Sequence, residues 1–329
     1  MFPPFRRSAP LAALATILAV SPASAVTHVF VVAGQSNALG AGTTSSDTVP
    51  SGIGSVQFRY SNRNFPGNTE YASAGWTVLS AQAGGSIDNP FFHDSSAPIR
   101  GYGPELTLGR DLALGLPGDT IAIIKFAISG TQMGNASSGT GQDWWKAGGN
   151  LHLSMLSYLD SARGNLSGTP VMSGFFWMQG ESDARKDDSV DRTANANAYE
   201  ANLTGFITSV RSHFGTPALP FIMGRIDPPD TDGAGPGGAG PNFGQNKSIV
   251  RSAQMAVDGN VAFTGLVNTD DLGRFSGDEI HFIGAGQQVL GERMAASYFA
   301  TVPEPGVAGM LLLGASGACA IRRRRQPSR

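Results

Sequence analysis

Residues 29–37 read VFVVAGQSN, and this short segment is the most informative feature of the chain. The apolar run from Val29 to Ala33 is typical of a strand buried on both faces, and Gly34 allows a sharp turn directly after it. Ser36 would then lie at the carboxyl end of that strand, where open α/β sheets bind their ligands. A serine hydroxyl needs a base, a group that orients the base, and donors for a developing oxyanion. We expect these groups at the ends of neighbouring strands.

Strand-like and helix-like patterns alternate along the rest of the chain. The predicted strands are 28–33, 120–127, 174–178, 220–226 and 261–267, and the predicted helices are 104–114, 150–161, 195–213, 246–257 and 284–299. Such alternation favours α/β architecture, with a parallel sheet of about five strands and helices on both faces. Because no linker divides the alternation, we predict a single domain over residues 26–301. Residues 41–98 and 227–244 are predicted to be irregular, the latter being either a surface insertion or a substrate lid.

The first 25 residues have the pattern of a secretory signal peptide. Arg6 and Arg7 precede an apolar run over residues 11–20, and small residues lead up to Ala25. Signal peptidase is therefore expected to cut after Ala25.

Residues 302–329 combine three features in order. A Val-Pro-Glu-Pro motif at 302–305 precedes an apolar run over 307–321, which four arginines at 322–325 follow. The run is shorter than the ~20 residues that a spanning helix needs. The order resembles the PEP-CTERM sorting signal of Gram-negative bacteria. That resemblance implies processing by an exosortase and delivery to the envelope surface or extracellular matrix.

The charge balance argues against nucleic acid as a partner. The two ends carry seven of the 23 Lys and Arg residues and one of the 25 Asp and Glu residues, which leaves a net charge of −8 for residues 26–301. Phosphate contacts demand clustered basic residues. The single cysteine, Cys319, lies in the tail, so the domain must be stabilised by its own core.

A histidine motif follows near the end of the predicted domain, where residues 276–282 read SGDEIHF. Asp278 lies three residues before His281, so its carboxylate can accept the imidazole Nδ1 proton and leave Nε2 to take a proton from Ser36. The alternative is a solvated acidic loop with an incidental histidine. Because the chain has only five histidines and this loop precedes a predicted helix, the pattern favours a triad.

Two turns offer candidate oxyanion donors. Gly130 follows the strand 120–127 and offers a backbone N–H, while Gln179 follows the strand 174–178 and offers a side-chain amide. The alternative is that Gly130 is only a turn glycine and Gln179 only a capping residue.

The motifs Gly-Gln-Ser-Asn, Gln-Gly-Glu-Ser-Asp and Asp-x-x-His occur in this order over residues 28–299. In this the chain resembles the SGNH hydrolase superfamily, and within it the acetylesterase branch of carbohydrate esterase family six and the sialate O-acetylesterases. The resemblance implies an SGNH, flavodoxin-like three-layer sandwich and a serine esterase that works through an acyl-enzyme without a cofactor.

The same resemblance implies a role for each motif residue. Ser36 would be the nucleophile, His281 the general base and then acid, and Asp278 the orienting carboxylate, with Glu181 as the alternative partner of His281. The oxyanion hole would consist of the Ser36 and Gly130 N–H groups and Gln179. The candidate substrate-binding residues are Gln35, Asn37 and Trp145. A tryptophan ring can stack on a sugar or pack in the core, and both interpretations stay open for Trp144 and Trp145.

The predicted function is an exported serine esterase that removes acetyl groups from a carbohydrate, either a xylan-like polysaccharide or sialic acid. The sequence has no H-E-x-x-H motif and no Cys and His cluster, so no metal is expected, and it lacks G-x-S-x-G. One alternative is a lipase-like or thioesterase activity on the same fold. Another is a surface or matrix protein that binds glycans without turnover. Loops rich in Gly, Ser, Asn and Asp favour a small acyl group over a long one.

Overall fold

The computed structural model describes residues 25–43, 47–63, 70–83, 100–134, 143–144, 149–186, 190–228, 244–274 and 280–302. The strands are β1 (Thr27–Gly34), β2 (Gln57–Arg63), β3 (Glu70–Ala72), β4 (Thr77–Val78), β5 (Gln82–Ala83), β6 (Arg100–Gly101), β7 (Thr120–Ile128), β8 (Val171–Met178), β9 (Phe221–Gly224) and β10 (Thr264–Val267). The helices are α1 (Ser36–Leu39), α2 (Glu105–Gly115), α3 (Asn150–Gly164), α4 (Thr193–His213), α5 (Lys247–Asn260) and α6 (Gly284–Thr301).

Eight of the described strands form one sheet in the order β10-β9-β8-β1-β7-β2-β3, with β4 also paired to β2. The six strands from β10 to β2 run parallel, whereas β3 and β4 run antiparallel to β2. Strand β1 lies between β7 and β8, and its residues from Val29 onwards are buried because helices cover both faces of a central parallel strand. The predicted α/β fold with a mostly parallel sheet is confirmed.

Alternate residues of β8 pack against helices on opposite faces of the sheet. Phe176 lies near Tyr298 of α6, with 6.1 Å between ring centroids. The next residue, Trp177, lies 4.8 Å from Phe206 of α4. Because successive side chains of a strand point to opposite faces, α6 and α4 must form separate layers. Helix α2 packs beside α6, and α5 beside α4.

Strand β2 corrects the prediction that residues 41–98 are irregular. Its sequence QFRYSNR places Phe58 and Tyr60 on one face, where their rings stack 5.5 Å apart, but the other positions are polar. Pairing with β7 along its whole length forms the strand. A partner from a distant part of the chain therefore outweighs a weak local pattern.

None of the described helices is long and apolar enough to cross a membrane. The predicted signal peptide up to residue 24, most of the segment 227–244, and the sorting tail from residue 303 onwards lie outside the described residues.

Candidate active site

Ser36 lies on a tight turn between β1 and α1. Gly34 ends β1 with φ +138°, and a Cβ atom at this position would lie 2.0 Å from the carbonyl oxygen of Met178 in β8. The Gln35 N–H donates to that same carbonyl oxygen at 2.9 Å. The turn is thus fixed against β8, which brings Ser36 to the carboxyl end of the sheet as the first residue of α1. Its backbone N–H consequently has no acceptor within the helix.

A cavity of about 210 Å³ opens beside this turn. It brings together four of the predicted catalytic and oxyanion residues: Ser36 after β1, Gly130 after β7, Glu181 after β8, and His281 ahead of α6. Gln35 lies in its wall as well. These residues come from separate loops, and they meet because the loops lie at the same edge of the sheet.

Glu181 is a buried carboxyl group in the cavity wall, with 5 % of its surface exposed. Its Oε1 accepts a hydrogen bond from Asn37 Nδ2 at 2.7 Å, and its Oε2 accepts none from the described residues. Burial raises the pKa of Glu181 to about 7, although the Asn37 hydrogen bond and the nearby His281 act in the opposite direction. A buried group that titrates near neutrality in the wall of a cavity is a candidate for a functional role.

Gln179, the predicted side-chain oxyanion donor, makes its hydrogen bonds with other residues of the protein. Its side chain is fully buried, and its Nε2 donates to Asp183 Oδ2 at 2.6 Å and to the Thr131 carbonyl oxygen at 3.1 Å. Its Oε1 accepts from the Tyr199 hydroxyl at 3.0 Å. Both amide protons therefore have acceptors inside the protein, among them the Thr131 carbonyl oxygen in the loop after β7, and the oxyanion contact of Gln179 stays a prediction.

Asn37, which the sequence predicted to bind substrate, also makes its side-chain hydrogen bonds within the protein. The residue is 1 % exposed, and its Nδ2 donates to Glu181 and to the Ile280 carbonyl oxygen at 3.1 Å. Its Oδ1 accepts from the Phe282 N–H at 3.1 Å. The side-chain amide thus contacts other parts of the protein, where a substrate contact was expected.

Two predicted site residues, Asp278 and Trp145, lie outside the described residues. The neighbouring Trp144 belongs to the core, because it is fully buried, donates to Thr131 Oγ1 at 2.8 Å and packs edge-on against Trp177 at 5.0 Å.

Four polar residues of the cavity wall were not predicted from the sequence to belong to the site: Ser129, Ser182, Arg185 and Arg192. Ser129 and Ser182 adjoin the motif residues Gly130 and Glu181, so their position was a usable signal. The two arginines are partly exposed and carry no motif of their own. Among the described residues, no group of three or more His, Cys, Asp or Glu side chains could hold a metal ion.

A family model described as carbohydrate esterase, sialic acid-specific acetylesterase, matches residues 26–300, a range that contains Ser36, Gly130, Glu181 and His281. The chain belongs to this acetylesterase family. Members are ester hydrolases that act on acetylated carbohydrates, and the SGNH-type fold inferred from the motifs is the fold observed. No curated protein matches the chain.

Solved structures resemble this acetylesterase family member in fold. A protein from Arabidopsis thaliana superposes with a TM-score of 0.54 at 20 % identity, covering 83 % of this chain and 98 % of the other. NanS superposes with a TM-score of 0.54 at 15 % identity, covering 84 % of this chain and 97 % of the other.

Proposed function

We propose that this protein is an exported serine acetylesterase in which Ser36 and His281 perform the chemistry. The observation that carries the proposal is that both residues line one small cavity together with Gly130. A cavity of about 210 Å³ is below the usual range of drug-sized ligand sites, which favours a short acyl group such as acetyl.

In the first half-reaction the Ser36 hydroxyl attacks the acetyl carbonyl carbon while His281 Nε2 takes the hydroxyl proton. The negative charge that develops on the carbonyl oxygen is stabilised by the N–H groups of Ser36 and Gly130. The sugar oxygen then leaves with the proton that His281 returns, and the acetyl group stays on Ser36.

In the second half-reaction a water molecule gives its proton to His281 and attacks the acetyl-Ser36 ester. The tetrahedral intermediate collapses to acetate, and His281 returns the proton to the Ser36 oxygen. A carboxylate must orient His281, and Asp278 and Glu181 are the candidates. Comparing Asp278→Asn with Glu181→Gln identifies it, because kcat falls more in the variant that lacks the orienting group; equal small losses would exclude both.

The two arginines favour sialic acid over a neutral xylan-like polysaccharide as the carrier of the acetyl group. Arg185 and Arg192 are partly exposed residues of the cavity wall, and Arg192 Nη1 also donates to the Ser182 carbonyl oxygen at 2.8 Å. Guanidinium groups bind carboxylates through paired, charge-assisted hydrogen bonds, and sialic acid carries a carboxylate whereas xylose does not.

The experiment that tests the proposed function compares hydrolysis of p-nitrophenyl acetate and p-nitrophenyl octanoate by the wild type, Ser36→Ala and His281→Ala. We expect acetate turnover that both substitutions abolish while the proteins stay folded. A preference for octanoate would support the lipase-like alternative. If the folded wild type hydrolyses neither ester, the proposal is contradicted. The remaining alternative is then a protein that binds glycans without hydrolysing them.

We further propose export by the N-terminal signal, with exosortase processing of the tail. Mass spectrometry of the protein purified from its native host should give a first residue of Val26 and a C-terminus near residues 302–305. An intact N-terminus and tail would contradict this route.

A further inference from the structure

We infer that Asn37 is a positioning residue. It holds residues 280–283, here called the His281 loop, against the turn that carries Ser36. The inference rests on the proposed roles of Ser36 and His281. Asn37 touches no reacting atom, so it is distinct from the catalytic residues.

The contacts of the Asn37 amide are made with the two residues that flank His281 in the chain. The Ile280 carbonyl oxygen accepts from Asn37 Nδ2 at 3.1 Å, and the Phe282 N–H donates to Asn37 Oδ1 at 3.1 Å. A single side chain therefore replaces the pair of hydrogen bonds that a neighbouring strand would make. Because both flanking peptide groups are held, the position of the His281 backbone between them is defined.

Neighbouring groups hold the same loop from other sides. Gln287 Nε2, in the first turn of α6, donates to the Asn37 carbonyl oxygen at 3.0 Å. Gly42, just beyond α1, lies so close to the loop that a Cβ atom there would be 2.4 Å from the Phe282 carbonyl oxygen. The loop is thus packed tightly on the α1 turn, and Asn37 lies at the centre of the contact.

The Asn37 amide also connects the loop to Glu181, whose Oε1 accepts from Asn37 Nδ2 at 2.7 Å. Asn37 therefore contacts both the His281 loop and the buried carboxyl group of Glu181. Since Asn37 directly follows Ser36 in the chain, a shift of its side chain changes the distance between the Ser36 hydroxyl and the imidazole. Displacements of about 1 Å can reduce turnover by about 10²-fold.

The test compares Asn37→Ala with Thr264→Val. The control removes a partly buried hydrogen bond at the start of the edge strand β10, where Thr264 Oγ1 donates to the Val261 carbonyl oxygen at 2.7 Å. Asn37→Ser provides a second variant if the alanine form does not fold. The readouts are kcat and KM for p-nitrophenyl acetate, thermal unfolding, and hydrogen–deuterium exchange of the peptide that spans residues 280–283.

For Asn37→Ala we expect kcat to fall by about 10²-fold with KM changed less than about 3-fold, and the Phe282 amide to exchange faster. Thr264→Val should lower the unfolding temperature but leave both other readouts unchanged. Unchanged exchange at Phe282 would overturn the contact, and a kcat loss no larger than that of the control would overturn the positioning role. If the wild type hydrolyses no ester, the proposed function fails, and the exchange experiment still tests the contact.

Discussion

Lys125 and Glu105 form an ion pair in which neither side chain is exposed to solvent, with Lys125 Nζ 2.9 Å from Glu105 Oε2. The ammonium also donates to the Leu39 carbonyl oxygen at the end of α1, at 2.9 Å. Glu105 Oε1 accepts from the Gly103 N–H at 3.0 Å. Burial lowers the pKa of Lys125, and the charge of Glu105 opposes this effect. The pair therefore lies beneath the turn that carries Ser36 and joins it to α2.

We expect Lys125→Met to lower the free energy of unfolding by about 3–5 kcal/mol, because it leaves the Glu105 carboxylate buried without its partner. The double variant Lys125→Met with Glu105→Gln should recover a large part of that loss. Urea unfolding of the three proteins measures both effects. If the double variant is less stable than Lys125→Met alone, uncompensated charge is not the cause.

The raised pKa of Glu181 predicts a pH-dependent stability. Below pH of about 4.5 the carboxyl group is protonated in both the folded and the unfolded chain. Between that pH and about 7 the unfolded chain loses the proton while the folded chain keeps it, so the wild type becomes less stable as pH rises.

Glu181→Gln removes this titration. Relative to the wild type, it should gain roughly 3 kcal/mol in free energy of unfolding between pH 4.5 and pH 8, with no further gain above. Urea unfolding of both proteins at several pH values tests this. If the free energy of unfolding changes with pH in the same way in both proteins, Glu181 ionises in the folded state as it does in the unfolded chain.

Gln179 and Asp183 should act as one unit in holding the loop after β7. Asp183 accepts the N–H groups of Met133 at 2.8 Å and Gly134 at 3.2 Å in addition to the Gln179 amide. We expect Gln179→Ala and Asp183→Asn each to lower kcat by on the order of 10²-fold, since the loop carries the Gly130 donor. The double variant should be little worse than either single one, as residues in one network are not additive.

The same variants also test the prediction that Gln179 donates to the oxyanion. If it does, Gln179→Ala should lower kcat while the Met133 and Gly134 amides, which Asp183 holds, keep their hydrogen-exchange rates. Asp160→Asn, on the exposed surface of α3, serves as the control and should leave kcat unchanged.

The cavity arginines predict selectivity for an acidic sugar. Arg185→Gln should raise KM for an O-acetylated sialic acid on the order of 10-fold, because a charge-assisted hydrogen bond contributes about 1.5–3 kcal/mol. The methyl ester of the same substrate, which lacks the negative charge, should show no such difference between wild type and variant. Arg163→Gln, an arginine of α3 paired with Asp160, is the matched control. An equal rise in KM for acid and ester would exclude recognition of the charge.

Much of the fold was predictable from the sequence, since buried parallel strands and helices have distinct local patterns. All five predicted parallel strands are present, and helix α4 begins at Thr193 where Asn195 was predicted. Strand β2 was not predictable, because its polar sequence forms a strand only through hydrogen bonds to β7. The meeting of Ser36 and His281 beside one cavity was predictable, because Ser36 directly follows β1 and His281 lies in the loop ahead of α6. The contacts of Gln179 were not, because they form only in the folded interior.

The α/β architecture and the order of the motifs typical of this acetylesterase family could be predicted without the folded structure. Hydrophobic periodicity and turn residues are local properties, so they can be read without the fold. The contacts of Asn37 became known from the tertiary structure, since its partners Ile280 and Phe282 are 243 and 245 residues away in the chain. The tertiary structure also showed that Arg185 and Arg192 reach the cavity. Contacts of this kind depend on how distant segments pack, and no local pattern encodes them.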